Sequence, residues 1–211
     1  TQIADRFNKY SDHLIFEGAN EELGDRLNDS IYSNGYSTTD KQGDVAIGGN
    51  LKTADKYKMA NEINQKFVDV IRATGGNNAN RHLLIPGYNT DIEKTVNAKF
   101  VMPKDTAENG KTKLFVSVHY YTPWDFCGDG GAGSYTYGDR QKTVENFELL
   151  KRFSDEGYAY IIGECGVCSP QTVTGSVTAW FNDTFKEAAK YHAVPVLWET
   201  GQYFDRTAAT L

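Results

Sequence analysis

Apolar residues in this chain follow two alternating rhythms. Ile3, Phe7 and Tyr10 lie three and four residues apart, a helical spacing over residues 1–10. A compact apolar run follows, His13-Leu14-Ile15-Phe16-Glu17-Gly18, and leads into Asn20-Glu21. Ala60, Ile63, Phe67, Val70 and Ile71 mark one face of a second helix, which Gly75-Gly76 stops. Residues 81–86 read as a strand, followed by a loop containing Tyr88 and a weaker helical segment over residues 91–101. Leu114-Phe115-Val116-Ser117-Val118 is a strand. Val144, Phe147, Leu150 and Phe153 mark a helix closed by Gly157. Residues 158–163 are a strand, Val177, Phe181, Phe185 and Ala188 mark a helix, and residues 194–198 form the last strand.

Five strands separated by four helical segments, with one further helix in front, predict a parallel sheet with helices outside it. The strands are short and apolar on both faces, which predicts burial on both sides. A closed (β/α) barrel and an open doubly wound sheet fit this pattern equally well. Nucleotide binding finds no support, because no G-x-G-x-x-G or P-loop follows any strand. The polar, glycine-rich stretch over residues 24–49 is long for a plain connection and reads as a functional loop over a site or as a mobile one.

The length, 211 residues with 39% hydrophobic, suits one compact domain spanning residues 1–211. A net charge of -6 argues against the cationic surface that nucleic acid needs, and gives no attraction to anionic membranes. No apolar run is long enough to span a bilayer, and no signal peptide is read in the sequence, as expected of a processed chain or of one whose N-terminus is missing. Aromatic residues make up 13% of the chain; most of the Phe residues suit the core, whereas Trp124 and Trp198 follow strands and offer flat faces to sugar rings. Trp180 sits in a helical pattern and suits the core. Cys165 and Cys168 form a C-x-x-C, but no second pair with zinc spacing accompanies it. Small core cysteines are the favoured reading; a disulfide from Cys127 to one of the other two stays open.

The polar residues cluster directly after strands. Asn20 and Glu21 follow the first, His119 and Tyr121 the third, Glu164 closes the fourth, and Trp198 and Glu199 end the fifth. In a (β/α) barrel the C-terminal strand ends share one face and carry the active site. Two glutamates there suit glycoside hydrolysis, one as proton donor and one as nucleophile, with pKa values pushed apart. Glu22, beside Glu21, is the rival proton donor. Glu17, on the first strand, suits packing or a supporting contact. His119 also has a purely structural reading, and His13, His82 and His192 are read as structural or exposed.

The motifs resemble those of family 5 glycoside hydrolases of clan A, the endo-β-1,4-glucanases. Leu14-Ile15-Phe16-Glu17-Gly18-Ala19-Asn20-Glu21 resembles that family's fourth-strand motif, and Val118-His119-Tyr120-Tyr121-Thr122-Pro123-Trp124 its sixth. Ile161-Ile162-Gly163-Glu164-Cys165-Gly166 resembles the seventh and Val196-Leu197-Trp198-Glu199 the eighth. Arg72-Ala73-Thr74-Gly75-Gly76-Asn77-Asn78, followed by Pro86-Gly87-Tyr88, is similar to a branch acting on β-glucan and xyloglucan.

The resemblance implies an α/β fold of the (β/α)8 TIM-barrel type, of which this chain covers strands four to eight. It implies a retaining endo-β-1,4-glucanase with Glu21 as acid/base and Glu164 as nucleophile. Asn20, His119, Tyr121, Trp124 and Trp198 would bind substrate. Xylanase or mannanase activity is the runner-up within the same chemistry, and a glycan-binding partial barrel without catalysis is the alternative outside it. A third reading is an interaction module whose open barrel edge pairs with a partner. No cofactor or metal is implied. The partner would be a β-glucan polymer or oligosaccharide, and its size implies secretion.

Two local departures stand out: Glu22 stands where the family often has Pro, and Cys165 where it often has Phe. Strands one to three and most of the last helix have no counterpart in the chain. The missing part normally supplies an Arg and a His near the nucleophile and substrate. Open sheet edges would follow, and with them self-association or a complementary chain.

Overall fold

The structure is a computed structural model that describes residues 1–33, 51–107, 110–131, 133–168, 174–199 and 207–209. Those residues fall into two compact units, Thr1–Val116 and Ser117–Leu211, and the boundary falls inside a strand.

The first unit opens with helix α1 (Gln2–Phe7) and strand β1 (Phe16–Glu17), followed by α2 (Asp25–Ser33) and the long α3 (Thr53–Ala73). Strand β2 (Leu83–Pro86), a 3-10 turn (Tyr88–Thr90) and α4 (Ile92–Thr95) lead through a second such turn (Gly110–Lys113) into β3 (Leu114–Tyr120). β1 and β2 pair in parallel, with Phe16 opposite Leu83 and Glu17 opposite Leu84, and β3 lies on the other side of β2. Leu83, Ile85, Phe100, Leu114 and Val116 are all but fully buried, and α3 covers them with Tyr57, Ala60, Val68 and Ile71. The glycine-rich stretch after Glu21 is not a plain loop. It begins as helix α2, whose Leu27 and Ile31 are four residues apart and whose first turn carries Asp25, favourable at a helix N-terminus. Residues 34–49 of that stretch lie outside the described residues.

Arg81 is fully buried, and among the described residues no carboxylate forms an ion pair with it. Its guanidinium instead donates to the carbonyls of Phe7, Tyr10, Ser11 and Leu14 and to Asn78 Oδ1, and lies 4.9 Å from the Phe16 ring centre. Five fixed donors thereby satisfy the carbonyls where the chain leaves α1 and enters β1. The Arg72–Asn78 motif completes that dock. Arg72 grips Asp105 through two hydrogen bonds of 2.8 and 2.7 Å, Asn77 donates to the carbonyls of Lys9 and Tyr10, and Asn78 donates to the carbonyl of Ala4. Gly76 has φ +58°, and a Cβ there would stand 2.7 Å from the carbonyl oxygen of Asn8, so only glycine fits.

The second unit continues from β3 through α5 (Trp124–Cys127), α6 (Tyr137–Leu149), α7 (Lys151–Asp155), β4 (Ala159–Cys165), α8 (Thr174–Lys190) and β5 (Val194–Leu197). The strands follow in the order β3, β4, β5, and β4 and β5 are parallel. A capping box starts α6: Thr136 Oγ1 accepts from the Asp139 amide, and the Thr136 amide donates to Asp139 Oδ2. The single helix expected across Val144 to Phe153 is broken at Leu150, and Gly157, with φ +86°, closes α7. Tyr120, Phe126, Phe147, Leu150, Phe153, Ile162 and Trp180 form the core. Tyr120 lies edge-on to Phe147 at 5.1 Å and stacks on Trp180 at 6.0 Å.

Burial on both faces holds for β3, where every residue except Phe115 is buried. It fails for β5, where Val194, Val196 and Leu197 are 60, 42 and 38% exposed. The apolar pattern of β5 is that of an internal strand, but among the described residues nothing covers its outer face. No helix among the described residues is long and apolar enough to cross a membrane.

Candidate active site

The second unit assembles the environment of Glu164 from the residue upward. Pairing of β4 with β5 is regular through Ile162 and shifts register before Cys165, so the irregularity falls at Gly163-Glu164. Such a bulge re-aims a side chain at the end of a strand. Gly163 has no room for a Cβ, which would stand 2.7 Å from Ser117 Oγ and 3.4 Å from His119 Nε2. The strand therefore approaches β3 closely where Glu164 begins. Tyr121 Oη donates a 3.0 Å hydrogen bond to Glu164 Oε2, and His119 Nδ1 lies 3.5 Å from the same oxygen. The Glu164 side chain is 18% exposed and that of His119 5%, so one oxygen of a largely covered carboxylate faces two polar side chains from β3 and the residue after it.

Trp180, on α8, supports this arrangement from behind. It is fully buried, as its helical spacing predicts, and its Nε1 donates to the Thr122 carbonyl at 2.8 Å. That bond fixes the chain directly after Tyr121. Trp198 follows β5, and its amide donates to the Cys165 carbonyl at 2.8 Å while 46% of the residue stays exposed. Trp124 is 62% exposed and opens α5 rather than lying in a loop; its ring stands edge-on to Tyr121 at 6.3 Å. Both indoles are thus partly open to solvent.

The cysteines read as core residues. Cys127 and Cys165 are fully buried, and no disulfide joins any of the three. Burial pushes the Cys165 thiol up to about 12, and its Sγ points to the Val196 carbonyl. Neither Cys165 nor Cys168 belongs to a cluster of ligating side chains with metal spacing among the described residues. The residue after Glu164 is thus an inert packing group in place of the family's larger Phe.

In the first unit Asn20 and Glu21 sit on a bend after β1. Arg26 Nη1 forms a close ion pair with Glu21 Oε2, and the Glu21 side chain is 23% exposed against 58% for Arg26. Glu22 is exposed, and so is Glu17, which is not packed as its strand position suggested. His13 and His192 are exposed, while His82 lies edge-on to Phe115.

Beyond Glu21 the segment is tied down by Asp25, which sequence reasoning missed. Asp25 Oδ1 accepts from Tyr88 Oη at 2.8 Å and Lys56 Nζ at 3.1 Å, and Oδ2 from Lys94 Nζ at 3.0 Å and Asn89 Nδ2 at 3.3 Å. Burial raises the affinity of Asp25 for a proton, but the bonds from Tyr88, Lys94 and Lys56 together outweigh it and hold the carboxyl at about 2. Burial and the neighbouring carboxylate push the Tyr88 phenol well above its ordinary value. The only sequence signal for this hub was Pro86-Gly87-Tyr88, which marked the place but not the partner.

Parallel strands joined by helices, with polar and aromatic side chains after their C-terminal ends, are the arrangement of a (β/α)-barrel protein. Residues 1–204 match the family model described as cellulase (glycosyl hydrolase family 5), and the chain belongs to that family. Endoglucanase A of Paenibacillus barcinonensis is 31% identical over 95% of this chain and 50% of its own length. A xyloglucan-specific endo-beta-1,4-glucanase of Bacteroides ovatus is 32% identical over 98% of this chain and 41% of its own. Among solved structures, a family 5 xyloglucanase from Paenibacillus pabuli covers the whole chain with a TM-score of 0.77 at 29% identity, the match taking in 61% of that protein. The fold is therefore of the (β/α)8 TIM-barrel type, and the open-sheet alternative is set aside. The chain spans about half the length of the curated relatives it matches.

Proposed function

We propose that this chain carries the catalytic carboxylates of a retaining endo-β-1,4-glucanase acting on β-1,4-glucan, xyloglucan or mixed-linkage glucan. The observation that carries the reading is the setting of Glu164, a covered carboxylate accepting from Tyr121 beside His119 at the end of β4. Glu164 attacks the anomeric carbon and forms the glycosyl intermediate, while the hydrogen bond from Tyr121 keeps it aimed. Glu21 gives its proton to the leaving glycosidic oxygen and then takes one from the water that releases the sugar. Asn20 hydrogen-bonds the sugar 2-hydroxyl, His119 orients the carboxylate, and Trp198 and Trp124 stack on rings at either side of the cleaved bond. The relatives named for endoglucanase and xyloglucanase activity support the substrate class. No step of this chemistry calls for a metal or organic cofactor.

The reading extends to partners and place. The first three β/α units of the barrel, in the same polypeptide or supplied by a second chain, cover apolar groups such as Ile15 beside β1 and Val194 and Val196 on β5, which are 46, 60 and 42% exposed here. A polymeric substrate too large to enter a cell places the protein outside it.

The test is release of reducing ends from soluble β-1,4-glucan and xyloglucan by the chain and its Glu164→Gln variant. Turnover present in the first and lost in the second is expected. Glucan binding without turnover in either would replace the enzyme with a glycan-binding domain.

A further inference from the structure

We propose that Asp25 is a positioning residue for Glu21: its carboxylate staples the chain directly after Glu21 to α3, α4 and the turn after β2, and so sets where the proton donor points. The inference rests on Glu21 being the acid/base of the function proposed above.

The segment from Leu23 to Arg26 is locked from several sides. Asp25 gathers Lys56 from α3, Lys94 from α4, and Tyr88 and Asn89 from the turn after β2. The backbone adds its own ties, since the Asn89 amide donates to the Leu23 carbonyl and the Arg26 amide reaches Asn89 Oδ1 at 3.5 Å. Gly24 between them has φ +128°, and a Cβ there would stand 2.8 Å from the Tyr88 ring. Asn89 and Thr90 both hold φ +52°, a left-handed conformation uncommon for such residues, and it persists because these contacts over-determine the turn. The chain around Asp25 therefore has one arrangement.

That arrangement reaches Glu21 through Arg26. Arg26 is the next residue after Asp25, and its guanidinium pairs with the Glu21 carboxylate. Fixing the Arg26 backbone fixes the root of the side chain that holds Glu21. Tyr57, stacked on Tyr88 at 4.0 Å and donating to the Lys94 carbonyl at 2.8 Å, braces the same hub from α3. The function proposed above places no residue of the hub at the reacting atoms, so its effect is expected to pass through Glu21. A general acid misplaced by about an ångström loses on the order of 100-fold in rate.

The experiment compares the chain with Asp25→Asn and Asp25→Ala by two readouts. The first is amide hydrogen exchange: residues 21–26 and 87–90 exchange at least tenfold faster in Asp25→Ala, while the amides of β4 do not change. The second is kcat/KM on β-1,4-glucan against the burst of dinitrophenolate from a 2,4-dinitrophenyl β-cellobioside, which reports formation of the intermediate before Glu21 is needed as base. Dinitrophenolate departs without a proton, so a fault in the general acid slows glucan cleavage tenfold or more and spares formation of the intermediate from the aryl glycoside. Equal losses on both substrates, or unchanged exchange at residues 21–26, would overturn the proposal. If the unsubstituted chain turns over neither substrate, the enzymatic reading fails by itself, and the exchange readout still decides whether Asp25 holds the segment.

Discussion

Tyr121 and Glu164 show how much a single oriented bond contributes. A hydrogen bond to a charged group is worth about 1.5–3 kcal/mol, which corresponds to roughly 10–100-fold in rate. Tyr121→Phe keeps the ring against Trp124 and removes only the donor. If Glu164 is the nucleophile proposed above, turnover of glucan falls by about that factor, and steady-state kinetics check it. Asp25 makes a residue-scale prediction of another kind. Its carboxyl is held at about 2 against an ordinary 3.8, among Tyr88, Asn89, Lys56 and Lys94, with Asp29 and Asp91 nearby. A carboxyl held below its unfolded value adds stability above about pH 4, and that stability is lost as the pH falls toward 2. Asp105, drawn below its ordinary value by Arg72 despite its burial, acts in the same direction. Urea midpoints from pH 5 to pH 2 therefore fall less steeply in Asp25→Asn than in the unsubstituted chain.

At the scale of elements, buried polar groups also hold the joints of the chain. Arg72 at the end of α3 and Asp105 in the segment before β3 are 6 and 1% exposed and form a two-pronged pair. Removing one partner of such a pair strands the other charge in the interior and costs about 3–5 kcal/mol. Arg72→Ala therefore lowers the unfolding free energy of the chain by about that amount, read from its urea midpoint, whereas Lys58→Ala, in an exposed pair with Glu62, changes it little. The Arg72–Asn78 motif, which by resemblance suggested a branch of glucanases, is in structural terms the dock for the end of α1. Trp180 is the counterpart in the second unit, a core indole whose one polar atom holds the carbonyl after Tyr121. Its helical spacing showed that it was buried, but spacing says nothing about which loop it holds.

At the scale of the molecule, the exposed apolar face of β5 and the length shared with relatives set the expectation. If covering β/α units complete the barrel from a second chain, specific turnover rises with protein concentration, and sedimentation velocity shows assembly over the same range. Constant specific turnover from a monodisperse monomer would remove that proposal.

Strand and helix order and the strand-end positions of the motifs were legible because each depends on local periodicity and on residues a few places apart, whereas the choice of a barrel over an open sheet came from the resemblance of those motifs to family 5. The helix hidden in the stretch after Glu21 was obscured by its glycines and polar residues, which share the composition of a loop. Burial of β5 could not be read either, since an apolar strand carries the same pattern whether or not anything covers it. The chain by itself determined which carboxylates, aromatics and amides stand at the strand ends. Only the tertiary structure decided that Tyr121 donates to Glu164, that β4 shifts register at Gly163, and that Asp25 gathers Lys56, Tyr88, Asn89 and Lys94. Those partners lie tens of residues apart, and hydrogen-bond geometry over such separations is set by packing, which no local pattern encodes.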